Sequence, residues 1–207
     1  MSMLALLALA ASAVTIPERA GSGDQWLGPN DIPKSAFDSG KDGAFFFKAL
    51  VDPAGKVELC TVEGATVSAT EDRDAFCKRV KQRFAYRPAA GAPGYYVLEE
   101  NYAFILPSDW HRNPLAIPPH FVVEVQKLPA GSGKTADVAV NVSVDEGGAL
   151  RDCGVPADAP RAALSRLACG QLPGLWSPMP EKNAAGKPVA YVRQLHVEFR
   201  EAGAPAN

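Results

Sequence analysis

Neither sign of charge dominates this chain of 207 residues: 21 Lys and Arg stand against 23 Asp and Glu, a formal net charge of −2. That balance argues against nucleic acid as the main partner. Long apolar runs are missing too, and Met3 to Ala11 is too short to span a bilayer. Histidine is scarce. His111, His120 and His196 have no ligand-like spacing with the cysteines or acids, and no Cys-x-x-Cys occurs, so no metal site is expected. There is no Gly-x-Ser-x-Gly elbow to mark a nucleophile. Gly131-Ser132-Gly133-Lys134-Thr135 looks like the end of a phosphate-binding loop, but Leu128 stands where that loop needs its first Gly. The run also leads into a strand rather than a helix, so a linker turn is expected. The expectation is a protein with no enzymatic activity, no catalytic residues and no cofactor.

What the sequence does contain is a repeat. Val51-Asp52-Pro53-Ala54-Gly55-Lys56-Val57-Glu58-Leu59-Cys60 and Val144-Asp145-Glu146-Gly147-Gly148-Ala149-Leu150-Arg151-Asp152-Cys153 share one plan. Each is a strand ending in Val-Asp, a turn closed by Gly, and a short strand ending in Cys. A second cysteine follows each copy, Cys77 and Cys169. Four cysteines allow three pairings; the repeat favours Cys60–Cys77 and Cys153–Cys169, against the alternative of four buried thiols. Modules of this size bury little core, so a disulfide in each is a useful constraint.

In the first copy Ala44 to Val51 is a strand, Asp52-Pro53-Ala54-Gly55 a turn and Val57 to Val62 the return strand. Ser68-Ala69-Thr70-Glu71 has capping-box spacing for a helix whose Phe76, Val80 and Phe84 form a core-facing stripe. Basic Lys78, Arg79, Lys81 and Arg83 crowd its second half and are read as a solvated face that complements the helix dipole. Tyr95 to Leu106 is a long last strand. In the second copy Val138, Val140, Val142 and Val144 alternate as a half-buried strand, and Ala149 to Val155 returns. Arg161 to Cys169 is a shorter helix stopped by Gly170 and Pro173, and Val189 to Arg200 is the last strand. Phe121 to Leu128 is an additional strand, and Trp26 packs over the first core.

The fold class expected is α+β: two repeated β-β-α-β modules, each a small antiparallel sheet with one helix packed on it. The chain divides into a signal peptide at 1–13, an irregular lead-in at 14–42, the first module at 43–106, a Pro-rich linker at 107–120, the second module at 121–200 and a loose tail at 201–207. Ala11-Ser12-Ala13 supplies an A-x-A cleavage pattern, so the mature chain begins at Val14, in an oxidising compartment.

The last strand of a β-β-α-β unit often lies at the margin of its sheet, where it accepts another extended chain. The partner-binding edge expected is therefore Tyr95, Tyr96, Val97, Leu98, Asn101, Tyr102 and Phe104, with Val189 to Arg200 the second choice. The opposing expectation is that these edges pair with each other or with a second copy in a homodimer, making the protein a structural envelope component. A third is a hydrolase or hydrolase inhibitor hidden in the irregular 107–135 region.

These residues resemble the C-terminal domain of TonB, the energy transducer of Gram-negative bacteria. The resemblance rests on the strand running into Val51-Asp52-Pro53-Ala54-Gly55-Lys56-Val57, the Cys60/Cys77 pair, Arg83-Phe84-Ala85-Tyr86-Arg87-Pro88-Ala89 and a final strand closing on Tyr102-Ala103-Phe104. The second module matches more loosely, with Trp176-Ser177-Pro178 replacing the basic-aromatic ending. The resemblance implies a periplasmic protein that grips TonB-box-like segments of outer-membrane transporters by strand addition. With no spanning run and no long Pro-rich arm in this sequence, it implies the binding role rather than energy transduction proper.

Overall fold

A computed structural model describes residues 14–21, 27, 31, 33, 35, 38, 43–65, 70–89, 94–104, 119–156 and 159–203. The expected signal peptide, Trp26, the start of the Ser68 capping box, His111 and most of the linker lie outside the described residues.

The fold is α+β. In chain order the elements are β1 (Glu18–Arg19), β2 (Gly43–Val51), β3 (Val57–Ala65), α1 (Thr70–Arg83), β4 (Tyr86–Arg87), β5 (Tyr95–Phe104), β6 (Phe121–Val125), β7 (Thr135–Val144), β8 (Leu150–Gly154), α2 (Ala162–Leu175), β9 (Glu181–Lys182), β10 (Pro188–Val189) and β11 (Tyr191–Glu201). Seven strands form one sheet in the order β3-β2-β5-β11-β7-β8, with β6 also paired to β11. Read outward from the seam between β5 and β11, each side runs last strand, first strand, return strand.

The two helices lie on opposite faces of this sheet. Side chains alternate between the faces of a strand. Phe45, Phe47, Ala49, Val51, Tyr96 and Leu98 pack with Phe76, Val80 and Phe84 around α1, and Val192 of β11 joins them. Val138, Val140, Val142, Leu195, Val197 and Phe199 pack with Leu164, Ala168 and Leu172 of α2. Val192 and Leu195 are three residues apart on one strand, so these two cores face opposite ways. The seam is parallel, with Tyr191 opposite Tyr95 and Arg193 opposite Val97.

The face of the first half that α1 leaves bare is covered from the second half. The β9–β10 hairpin lies there: Lys48 pairs with Glu181, the Ala184 N–H donates to Glu58 at 2.9 Å, and Leu50, Val97, Val144, Val189 and Tyr191 form a third core beneath it. On the α1 side, the Asn141 amide donates to the Val14 carbonyl at 2.9 Å and so ties the start of the described chain to the second half.

Three turns share one chemistry. Asp52 accepts from the Ala54 and Lys56 N–H groups at 2.9 Å each, Asp145 accepts from Ala149 at 2.8 Å, and Asn183 accepts from Ala185 and Lys187 at 3.1 and 3.0 Å. Three residues further on, Gly55, Gly148 and Gly186 take φ values of 83°, 83° and 75°, where glycine alone is unstrained. The third turn went unread in the sequence because Asn replaces Asp.

Two expectations need correction. The second helix does not stop at Cys169; α2 runs through Gly170 and Pro173 to Leu175. Pro173 costs one backbone bond in the final turns, but Ala168 and Leu172 are 1% exposed, and that burial holds the last turn on the sheet. Nor is the basic face of α1 wholly solvated: Arg83 pairs with Asp31 at 2.6 Å and Arg79 donates to its carbonyl at 2.9 Å, although Asp31 is 4% exposed. The bond fastens the lead-in to the helix.

Candidate functional site

The expected binding strand is not at the sheet margin. β5 pairs with β2 from Tyr96 to Phe104, and Tyr95, Tyr96 and Val97 also pair with β11. Tyr96 and Val97 therefore have a strand neighbour on both sides, whereas Tyr95 has β11 alone and Leu98 to Phe104 have β2 alone among the described residues. Tyr96, Val97 and Leu98 are buried; the Tyr96 ring meets Tyr86 edge-on at 5.7 Å and the Tyr102 ring lies 5.7 Å from Phe76. Asn101 and Phe104 take their places opposite Phe46 and Gly43 of β2. The second choice, β11, is more enclosed still, with β7 along ten residues of one side and β5 then β6 on the other. Joining the two last strands covers the edge of β5 at Tyr95 to Val97, and an apolar edge left open there would invite aggregation.

Beyond Val97, β5 leaves β11, and from Phe121 β6 takes over, pairing with Val197 to Glu201. His120 fills the fork. Its N–H donates to the His196 carbonyl at 2.8 Å, and its Nδ1 accepts from the His196 N–H at 3.0 Å. Nε2 therefore carries the ring proton and donates to Glu99 at 2.8 Å. Arg193 donates to the same carboxylate oxygen at 2.8 Å, with its guanidinium 5.6 Å from the Trp176 ring. Burial raises the Glu99 carboxyl, but the His120 hydrogen bond and the Arg193 charge outweigh it and hold the group below its ordinary range. Burial, then the nearby His120, keeps the His196 imidazole below its usual value. Glu99 is held by both His120 and Arg193, while the Arg193 Nε is buried without a partner among the described residues, and the cluster ties β5 to β11. Among the described residues no group of three or more acidic, His or Cys side chains is arranged to hold a metal ion.

The disulfides are Cys60–Cys77, joining β3 to α1, and Cys153–Cys169, joining β8 to α2.

With the last strands joined, the outer strands are β3 and β8. β3 covers β2 from Phe45 to Val51, with two register shifts that blunt its own edge. β8 is shorter and covers β7 only from Asn141 to Val144. From Thr135 to Val140, β7 has β11 as its one strand neighbour among the described residues. Arg161 donates to the Asp137 carbonyl at 3.2 Å, so the backbone groups of Asp137 point outward. The N–H and C=O of one strand residue share a side and the side alternates, hence those of Ala139 point outward too.

Beside this stretch lies a cleft of about 330 Å³, walled by Asp137, Val138, Ala139, Pro156, Pro160, Arg161, Ser165 and His196, among others. The sequence signal for it was the return strand: Leu150–Gly154 is followed at once by Pro156 and Pro160, which cannot extend a ladder along β7. No family model, no curated protein and no solved structure matches this chain.

Proposed function

We propose that this protein binds extended segments of other proteins by strand addition, as a TonB C-terminal-domain-like tandem working in the periplasm. The observation that carries the reading is the outer edge of β7 from Thr135 to Val140, which has a strand on one side only and a cleft on the other. An incoming strand would pair with the outward groups of Ala139, while the Val138 side and the Pro-lined wall would select its side chains. The TonB-box-like segments of outer-membrane transporters are the occupants that the resemblance implies.

The same reading takes the two halves as copies of one module. Its support is the shared strand–turn–strand–helix order, the matched Asp turns and the disulfide from return strand to helix in each. In each half the turn glycine is also pressed by the chain that follows the helix, Gly55 by Tyr86 and Gly148 by Pro178 and Pro180. Two disulfides are compatible with an exported protein in an oxidising compartment.

Titration of the oxidised chain with TonB-box peptides, followed by backbone amide shifts, tests the proposal. Shifts confined to 135–140 and the cleft wall are expected; unmoved β7 amides at millimolar peptide would overturn it. A second reading, a structural envelope protein without a transporter role, is favoured by the β5–β11 pairing, which uses the two long edges internally. Under that reading, light scattering gives a particle larger than one chain and peptides shift nothing.

A further inference from the structure

The cleft beside β7 ends at the start of α2, and that end is built for an anion. α2 is 14 residues long, has no side-chain cap at its N-terminus and no acidic residue in its first turn. The first N–H groups of a helix have no partner within it and carry the positive end of its dipole. Arg161, the N-cap residue, stands in the cleft wall. So does Ser165, one turn into the helix. Ser165 is 1% exposed, and among the described residues its Oγ has no hydrogen-bond partner, although the cost of burying a hydroxyl unpaired ordinarily ensures it has one. Among the described residues the only carboxylate of the wall is Asp137. It lies on a strand whose alternate residues, Val138, Val140 and Val142, pack against α2, so its side chain is directed to the other face of the sheet, and no carboxylate of the described residues in the wall faces the helix end.

Resting on the strand-addition reading, we infer that this cleft receives the C-terminal end of an extended polypeptide, its free carboxylate seated between Ser165, Arg161 and the first N–H groups of α2. The last residues of the segment would lie along Ala139. The apolar wall of Val138, Pro156, Ala159 and Pro160 fits a small aliphatic final side chain. Ser165 would donate its hydroxyl proton to the carboxylate, and Arg161 would exchange the Asp137 carbonyl for it. A C-terminal carboxylate held by backbone N–H groups is a recurring way to fix the register of a bound chain.

The test uses the oxidised full chain and two probes of one sequence, acetyl-Thr-Val-Thr-Val as the free acid and as the C-terminal amide. The acid is expected to bind about tenfold or more tighter than the amide, as charge-assisted hydrogen bonds suggest, and to shift the amides of 137–139 and 162–165. Ser165→Ala should remove most of that preference while raising thermal stability, because it deletes an unpaired buried hydroxyl without emptying the core. Equal binding of acid and amide at β7 would leave strand addition standing and overturn the carboxylate site. Failure of both probes, and of internal segments, to shift β7 would overturn the strand-addition reading and the inference with it.

Discussion

The stretches on either side of the β5–β11 seam each run strand, return strand, helix and last strand, and they differ in how completely the return strand covers its neighbour. In the first, nine residues of β3 run beside β2, and a core rich in aromatic rings (Phe45, Phe47, Phe76, Phe84, Tyr86, Tyr96) lies under α1. In the second, β8 has five residues, and the core under α2 is mostly Val and Leu. β-branched side chains favour the extended backbone of β7, which pairs with β11 along all ten of its residues. On the proposed strand addition, the better-sealed half would serve as scaffold, and the half with the shorter return strand would offer a stretch of backbone to a partner.

The largest expected effect breaks the symmetry at the turns. A Cβ on Gly55 would come 1.9 Å from the Tyr86 carbonyl oxygen, whereas one on Gly148 meets Pro180 Cδ at 2.8 Å. Gly55→Ala should cost about 3 kcal/mol or more, through strain and a clash with backbone. Gly148→Ala should cost less, since its approaches, 2.8 Å to Pro180 Cδ and 3.0 Å to the Pro178 carbonyl oxygen, are longer than the 1.9 Å at Gly55. Urea unfolding of both variants checks the order.

Next come the disulfides, whose sequence separations of 17 and 16 are nearly equal. Removing either pair should cost about 3 kcal/mol by loop entropy. Because the sheet is continuous, each double Ser variant should still unfold in a single transition by calorimetry. Two separated transitions would mean that the halves are independent and the seam weak.

Acid should loosen the seam. His196 is held below its ordinary value in the folded protein, so its contribution is complete above the unfolded value of about 6.5 and is lost as pH falls through the lower folded one. Glu99 is also held low, so its contribution disappears at more acidic pH, below the ordinary carboxylate range. Tm should therefore fall in two stages as pH drops from 7 towards 3, and Glu99→Gln should blunt the second.

The smallest effect on stability belongs to Ala139→Pro. Its N–H faces outward and pairs with no strand, so the fold should lose about 1 kcal/mol or less. Peptide binding should be abolished. A Pro at Val138, whose N–H faces β11, should by contrast cost about 3 kcal/mol or more, because it removes a ladder bond inside the sheet.

Much of the fold was legible because periodicity and turn chemistry are local. Alternating Val138 to Val144, the Phe76–Val80–Phe84 stripe, the Asp turns and the paired cysteines each announce themselves within a few residues. The outermost strand was not legible, because which strand lies there is decided by a contact between Tyr95–Val97 and Tyr191–Arg193, nearly a hundred residues apart. Sequence pattern marks both as apolar strands but not as neighbours. His120 and His196 were set aside for want of spacing, yet the fork between β5 and β6 stacks their rings 5.9 Å apart. Ser165 carries no sequence signal at all, since its distinction is a missing partner.

Amide hydrogen exchange on the oxidised chain tests the arrangement most directly. If the last strands are joined and β7 is the exposed edge, the amides donating across the β5–β11 seam within Tyr95–Val97 and Tyr191–Arg193 exchange slowly, Val138 and Val140 exchange slowly, and Ala139 exchanges fast. A protected Ala139 together with fast exchange throughout the Tyr95–Val97 stretch would contradict the account, because β5 would then be the edge and β7 the interior strand.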